Sequence, residues 1–511
     1  MGLNKSSRTV NAKKNIGTSL INKFISLILI FVSRKLFIQY IGIDYLGING
    51  LFANVLTLLS IADLGLDTAM NINFYKPIAE KDTNKIAALI QLYRKLYIIV
   101  GSTIAAIGLL LIPALPYIIN LQNPIEHITV YYVIFLANTV FSYFYIYKAS
   151  IIQADQKNYL INRIDMVINF CKLVAQIVVI VVFKNYLFYV LLNIVFTLMR
   201  NLIISHTADK QYPFIKQKVK LEKKTKDKIF KDVSSMFIYK IGWTLINGTD
   251  SLLMSIIVGT ASVGYFANYT SITGNLEGII ALIYVSLNSS VGNLVATTNS
   301  DSQYRTFRIM QFVSYWICGV VVVCLYFLTE DFVVMWIGKE FLLDKFAFIA
   351  ILISVHFTTC MRPVWAFREG TGMYQKIKYV TLVTAFINIV LSIILGKRFG
   401  LGGIIIATSI SRLSTYFWVE VKILYNSFFD RSSKEYFLNY AINVLMVLLC
   451  IFILKNIFVI IPDVSVINWL LKAFISIVVV LVVYYARYCK TEEFKAVKEK
   501  VSEFLDGRRA K

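Results

Sequence analysis

The chain lacks the motifs by which many enzymes can be recognised. It has no GxxxxGK[ST] phosphate loop, no HExxH and no GxSxG, so it carries no nucleotide-hydrolysing loop of its own and no familiar hydrolase signature. Histidine is nearly absent: His127, His206 and His356 are widely separated and are expected to form no cluster. The six cysteines (Cys171, Cys318, Cys324, Cys360, Cys450 and Cys489) include no CxxC pair and lie in or beside apolar stretches, which argues against disulfides and zinc. Charged residues make up only 16% of the chain, against about 25% in an ordinary soluble domain. Acids are the scarcer sign, with 29 Asp and Glu against 52 Lys and Arg.

What is abundant is apolar sequence, at 58% of residues. Runs long enough to cross a bilayer recur along the whole length. Coarse spans fall at 16–41, 46–75, 90–119, 128–148, 159–183, 186–206, 233–258, 262–298, 307–329, 341–361, 376–396, 401–425, 436–460 and 465–486. The expected fold class is an all-α membrane protein of about fourteen transmembrane helices. The first span is too long for a cleaved signal segment and is expected to stay in the mature chain.

The most hydrophilic internal stretch, residues 208–232, carries nine lysines against four acids. Lysine clusters stay on the cytoplasmic side of a membrane. Most of the basic residues fall in segments that this loop's sidedness places inside, together with both termini. The net charge of +23 therefore reads as orientation and anionic-lipid contact, not nucleic-acid binding. Ile16-Gly17-Thr18-Ser19-Leu20-Ile21-Asn22 returns as Ile241-Gly242-Trp243-Thr244-Leu245-Ile246-Asn247, and Tyr45-Leu46-Gly47 as Ser262-Val263-Gly264. The echo divides the chain into an N-terminal lobe of six helices (1–207), a basic cytoplasmic loop (208–232) and a C-terminal lobe of six helices (233–425). Two added helices (426–489) and a cytoplasmic tail (490–511) follow. Parallel repeats of this kind place a substrate site between the halves near midplane.

A charge at the centre of a membrane helix costs about 2.5–3.5 kcal/mol on insertion scales, so each one calls for a reason. Lys23 and Arg34 share one face of the first span, either snorkelling to opposite ends or forming a cationic stripe. Asp165, Asn169, Lys172 and Gln176 make a polar stripe on the fifth, where Asp165 and Lys172 either neutralise each other or line a cavity. Asn268, Ser271, Asn275, Ser286 and Asn293 follow one line of the eighth. Lys240, Asn247 and Asp250 lie close to one face of the seventh. Arg412 in the twelfth is either the counter-ion of Asp250 or a contact for an anionic substrate. Asp63 and Asp67 read as an interfacial pairing with Lys76. Together the stripes point to a hydrated central cavity, with Asn169, Gln176, Asn247, Asn268 and Asn275 on its polar lining.

Several segments resemble bacterial flippases for polysaccharide and O-antigen repeat units. They are YLGINGLFANVLTLLSIADLGLDTAMN (45–71), TDSLLMSIIVGTASVGYFANYTSITGNLEG (249–278), SSVGNLVA (289–296), FVVMWIGKEFLL (332–343), REGTGMYQKIKY (368–379) and FINIVLSIILGKRFGLGGIIIATSIS (386–411). These flippases are the polysaccharide-transporter branch of a superfamily that also holds multidrug exporters and lipid II flippases. The resemblance implies two pseudo-symmetric six-helix lobes around a V-shaped cavity, plus two C-terminal helices. It implies transfer of undecaprenyl-diphosphate-linked oligosaccharide from the inner to the outer leaflet of the bacterial cytoplasmic membrane by alternating access, for capsule, O-antigen or other surface polysaccharide. Lys23, Arg34, Lys172, Lys240 and Arg412 would offset desolvation of the diphosphate. The related lipid II flippases also imply a candidate sodium site at Asp250, Asn388, Ser392 and Thr408, where Ser392 replaces an acid. No bound cofactor is expected beyond sodium or a proton as coupling ion, and no catalytic residue. Expected partners are membrane lipid, the lipid-linked oligosaccharide, a polysaccharide polymerase and glycosyltransferases. Two rival readings stand beside this one: a multidrug or cation exporter of the same fold, and a membrane scaffold recruiting glycosyltransferases through the 208–232 loop.

Overall fold

A computed structural model describes residues 28–60, 73–74, 77–78, 80–121, 124–155, 157–217, 219, 221, 223–461 and 464–509. Lys23, Asp63 and Asp67 lie outside these residues, as do the side chains of Ser286 and Asn293. The described chain is helical, with no strand among the described residues. Nine of its helices are long and apolar enough to cross a membrane. One of these runs 54 residues, from Lys376 to Phe429, and contains two spans that were read separately from the sequence.

The chain forms two compact units, Met1–Ala267 and Asn268–Lys511. The first holds α1 (28–40), α2 (Ile43–Leu59), α3 (Thr83–Leu110), α4 (Ile128–Ser142), α5 (Asn158–Val178), α6 (Tyr186–Gln211), α7 (Lys223–Ile257) and the opening turns of α8 (Thr260–Thr297). The second holds the rest of α8, α9 (Ser300–Trp336), α10 (Lys345–Thr371), α11 (Tyr374–Ser414), α12 (Tyr416–Leu424), α13 (Lys434–Ile457), α14 (Val466–Tyr488) and α15 (Glu492–Arg509).

Polar residues start several helices. Asn185 caps α6 by accepting from the Leu187 and Phe188 amides, Asp344 caps α10 through Ala347, and Ser465 caps α14 through Asn468. Each satisfies donors that the first helical turn leaves open. In the first unit α2, α3 and α4 share a core of Phe52, Tyr93, Tyr132 and Leu136. The Tyr132 hydroxyl reaches the Gly108 carbonyl at 2.9 Å. The two echoed glycines meet here, because α2 packs against the start of α8. A side chain on Gly47 would collide with the Thr260 carbonyl, and a Cβ on Gly264 would lie 2.9 Å from the Ile43 carbonyl. Small residues at a crossing let membrane helices approach backbone to backbone.

In the second unit α10 is the central helix. Of its most apolar window 78% is buried within the protein, against 17% for α14. Helix α11 turns sharply at Gly400 (φ 60°, ψ −139°), a conformation essentially confined to glycine. Its outer helices turn large apolar side chains outward, Leu445, Leu448 and Phe452 on α13 and Phe474, Val478 and Val482 on α14. In water such faces would aggregate; at membrane depth lipid covers them.

Candidate functional site: polar and cationic groups at membrane depth

In the first unit an aromatic cluster forms where α1 ends and α2, α4 and α6 begin. Phe37, Tyr45, Tyr131, Tyr186 and Tyr189 contact one another edge-on or stacked. The Tyr186 hydroxyl donates to Asn49 Oδ1 at 3.0 Å. Arg34 is half-buried and interacts electrostatically with Tyr189. Gln176 is buried and donates to Asn193 Oδ1 at 3.2 Å. The amide thus ties α5 to α6 and leaves little capacity for a ligand.

Lys172 is half-buried on α5, with no hydrogen-bond or ion-pair partner among the described residues. Asp165 does not neutralise it. That carboxylate instead holds Arg200 of α6 in a two-point pair, with Oδ2 3.0 Å from Nη2. Residues seven apart on a helix share a face but are separated by about 10 Å along the axis. A neighbouring helix offers the nearer cation. Asn169 is exposed.

On α7, Lys240 and Asp250 are half-buried, and Asn247 is exposed with its amide donating to the Trp243 carbonyl one turn back at 2.6 Å. Asn268 on α8 is fully buried, and the Asn275 amide donates to the Ser271 carbonyl at 2.6 Å. Each of these bonds engages one amide donor within the residue's own helix.

The second unit brings together a cationic group that the spans only half revealed. Glu277 on α8 lies within electrostatic reach of Arg362 on α10 and Arg412 on α11. Arg412 is almost completely buried. Arg362 stacks 5.5 Å from the Trp365 ring centre, its Nε has no hydrogen-bond partner, and it makes no ion pair among the described residues. The span read at 341–361 ends one residue short of Arg362, whereas α10 continues through Pro363 to Thr371. Glu277 lies in the ITGNLEG stretch, where sequence alone gives it no partner. Its only visible signal was a carboxylate inside an apolar run.

Asn388 and Ser392, one turn apart on the first arm of α11, are fully buried. The Asn388 amide donates to Thr408 Oγ1 on the second arm at 2.9 Å. Asn388 Oδ1 and Ser392 Oγ have no hydrogen-bond partner. Orphaned buried oxygens of this kind suit a hard cation.

The fold has counterparts among solved structures. The chain resembles a lipid II flippase, MurJ in an inward closed conformation, with a TM-score of 0.68 and 17% identity over 92% of this chain and 98% of that one. It resembles an inward-facing multidrug resistance MATE transporter of the MOP superfamily, with a TM-score of 0.61 and 15% identity over 78% and 94%. A Vibrio cholerae MATE transporter, VcmN, follows at 0.56 and 13% over 82% and 98%. No curated protein sequence matches the chain. The fold is thus one shared with a lipid II flippase and multidrug transporters. The family described as polysaccharide biosynthesis protein matches residues 12–287, more than half of the length, and the chain belongs to that family.

Proposed function

We propose that the chain is a flippase that moves undecaprenyl-diphosphate-linked oligosaccharide repeat units from the inner to the outer leaflet of the bacterial cytoplasmic membrane by alternating access. In this reading it makes and breaks no covalent bond, and it feeds assembly of capsule, O-antigen or another surface polysaccharide. Two lobes joined by the cytoplasmic 208–232 strap, with both termini inside, would form the transport unit. A polymerase and glycosyltransferases would act beside it.

The observation that carries the proposal is Lys172, a half-buried basic side chain at membrane depth with no hydrogen-bond or ion-pair partner among the described residues. Arg362 makes no ion pair among the described residues either, with Glu277 in electrostatic reach only. Holding a cation such as Lys172 without a paired counter-charge is costly. A diphosphate supplies the missing charge, while its lipid tail stays in the bilayer. A cationic-drug exporter would instead need unneutralised acids, yet Asp165 is paired with Arg200 and Glu277 faces two arginines. Sodium or a proton is the accompanying coupling proposal, supported by Asn388 Oδ1, Ser392 Oγ and Thr408. With serine at the second acidic position, the set holds less charge than two carboxylates would give.

A charge-assisted hydrogen bond contributes about 1.5–3 kcal/mol, so losing one should lower transport about tenfold or more. Lys172→Ala and Arg362→Ala are expected to reduce surface polymer by that factor at unchanged protein level, with Lys172→Arg restoring most of it. Run with and without a sodium gradient, the same assay reads the coupling ion. Full export in both alanine variants would end the anionic-cargo reading, and export surviving charge reversal across 208–232 would dismiss the scaffold.

A further inference from the structure

Two cysteines and a histidine that looked unrelated in the sequence converge in the second unit. His356 and Cys360 lie one turn apart on α10, an H-x-x-x-C spacing that puts both on one helical face, and Cys318 approaches from α9. One ligand atom from each of the three lies within 4.8 Å of the others. Cys360 Sγ is 3.9 Å from His356 Nε2. Cys318 and Cys360 are fully buried and His356 is 7% exposed. We propose that Cys318, His356 and Cys360 form a structural zinc(II) site inside the helical bundle of the second unit, independent of the transport reading above.

The surroundings orient the three ligands. His356 Nδ1 is 3.3 Å from the Tyr440 hydroxyl, which can accept a proton held on Nδ1 and leave the Nε2 lone pair for a metal. Asn443 Nδ2 lies 3.4 Å from Cys360 Sγ and 3.3 Å from His356 Nε2. A thiolate is the stronger acceptor, so the amide proton goes to sulfur. The Tyr484 hydroxyl fixes that amide by donating to Asn443 Oδ1 at 2.6 Å. Tyr484 fits there because residue 319 is glycine: a Cβ at Gly319 would lie in contact with the phenol ring. Four helices, α9, α10, α13 and α14, therefore supply the ligands and their supports.

The donor set selects the metal. Two sulfurs and an imidazole suit a borderline-soft d10 ion rather than sodium, calcium or magnesium. Ligand atoms around tetrahedral zinc stand roughly 3.5–3.8 Å apart, so the cluster needs only a small contraction. On binding, both thiols release a proton and zinc(II) offsets two thiolates, leaving the dry interior neutral. Copper(I) would leave a net negative charge there, which is expensive to bury. The three ligands come from two helices, so the bound metal would clamp α9 to α10.

Elemental analysis of the full-length protein, purified in detergent from zinc-supplemented cells, is expected to find one zinc per chain. Cys360→Ser and His356→Gln should lose it, while Cys450→Ser, at a buried cysteine outside the cluster, should keep it. Cobalt(II) added to chelator-stripped wild-type protein should give thiolate-to-metal charge-transfer absorption, absent in Cys318→Ser. A membrane-permeant chelator should lower the unfolding midpoint of the wild type but not of the variants. Wild-type protein with no zinc and no cobalt band would overturn the proposal even if every variant misfolds. Copper in place of zinc, or two thiols lost to oxidation without metal, would overturn it equally.

Discussion

At the scale of single residues, the membrane-depth charges fall into those that are neutralised by a neighbour and those that are not. Arg368 and Glu420 are the clearest neutralised pair, 3.1 Å apart with side chains 4% and 1% exposed. Removing one partner of a buried pair costs about 3–5 kcal/mol because a bare charge remains, whereas replacing both with apolar residues is often neutral. Glu420→Ala should therefore lower the unfolding midpoint in detergent far more than the double variant Arg368→Met, Glu420→Leu. Equal losses would show that the pair acts through packing alone. Composition made every such charge visible as an exception to an apolar run, but not its partner. The i, i+7 geometry of Asp165 and Lys172 suggested a pairing, and Arg200, on a helix that no spacing rule links to it, took the carboxylate. Arg362 falls just beyond the span read at 341–361, whereas the helix continues through Pro363 to Thr371. Cys318 was opaque for the same reason as Arg200, since its partners are on another helix.

At the scale of helices, the sequence echo has a physical counterpart. Gly47 and Gly264 are corresponding positions, and they face each other where α2 meets α8. Gly264→Val would push a branched side chain into the Ile43 and Gly47 backbones, an overpacking cost of about 1–3 kcal/mol. A methyl group on Gly274, on the same helix, would meet nothing within 4 Å, so Gly274→Ala should be neutral or slightly stabilising. Comparing the two variants by thermal unfolding separates close packing from helix propensity; similar losses would remove the glycine contact as its cause. Element existence was readable because long apolar runs permit little besides helix in a bilayer. The break at Gly400 falls in the gap read between the spans 376–396 and 401–425, where Gly396, Gly400, Gly402 and Gly403 crowd the sequence. Polar stripes marked positions without marking partners: the Asn247 and Asn275 amides each donate to a carbonyl one turn back on their own helices.

At the scale of the whole chain, side-chain and backbone ties between helix ends bear on the topology. In a fourteen-span arrangement with both termini on one side, 148–157, 207–232, 299–306, 426–435 and the tail share that side. Lys148 pairs with Asp209, Tyr212 with Asp155, Arg431 with Asp301 and Arg308 with Glu493. On the opposite side, the Thr260 amide meets the Asn120 carbonyl at 2.6 Å and Lys472 meets Asp331 at 2.7 Å. Each tie joins segments that the span count assigns to the same side, and an odd error in that count would have split some of them. Which side is cytoplasmic follows from lysine placement alone, so it needs its own measurement. In a background where the exposed Cys171 is serine, Val464→Cys should react with a membrane-impermeant maleimide added to intact cells. Ser432→Cys should react only after permeabilisation. The opposite pattern would invert the orientation and put the 208–232 lysines outside, where a carrier collecting cargo from the inner leaflet could not use them as its cytoplasmic strap.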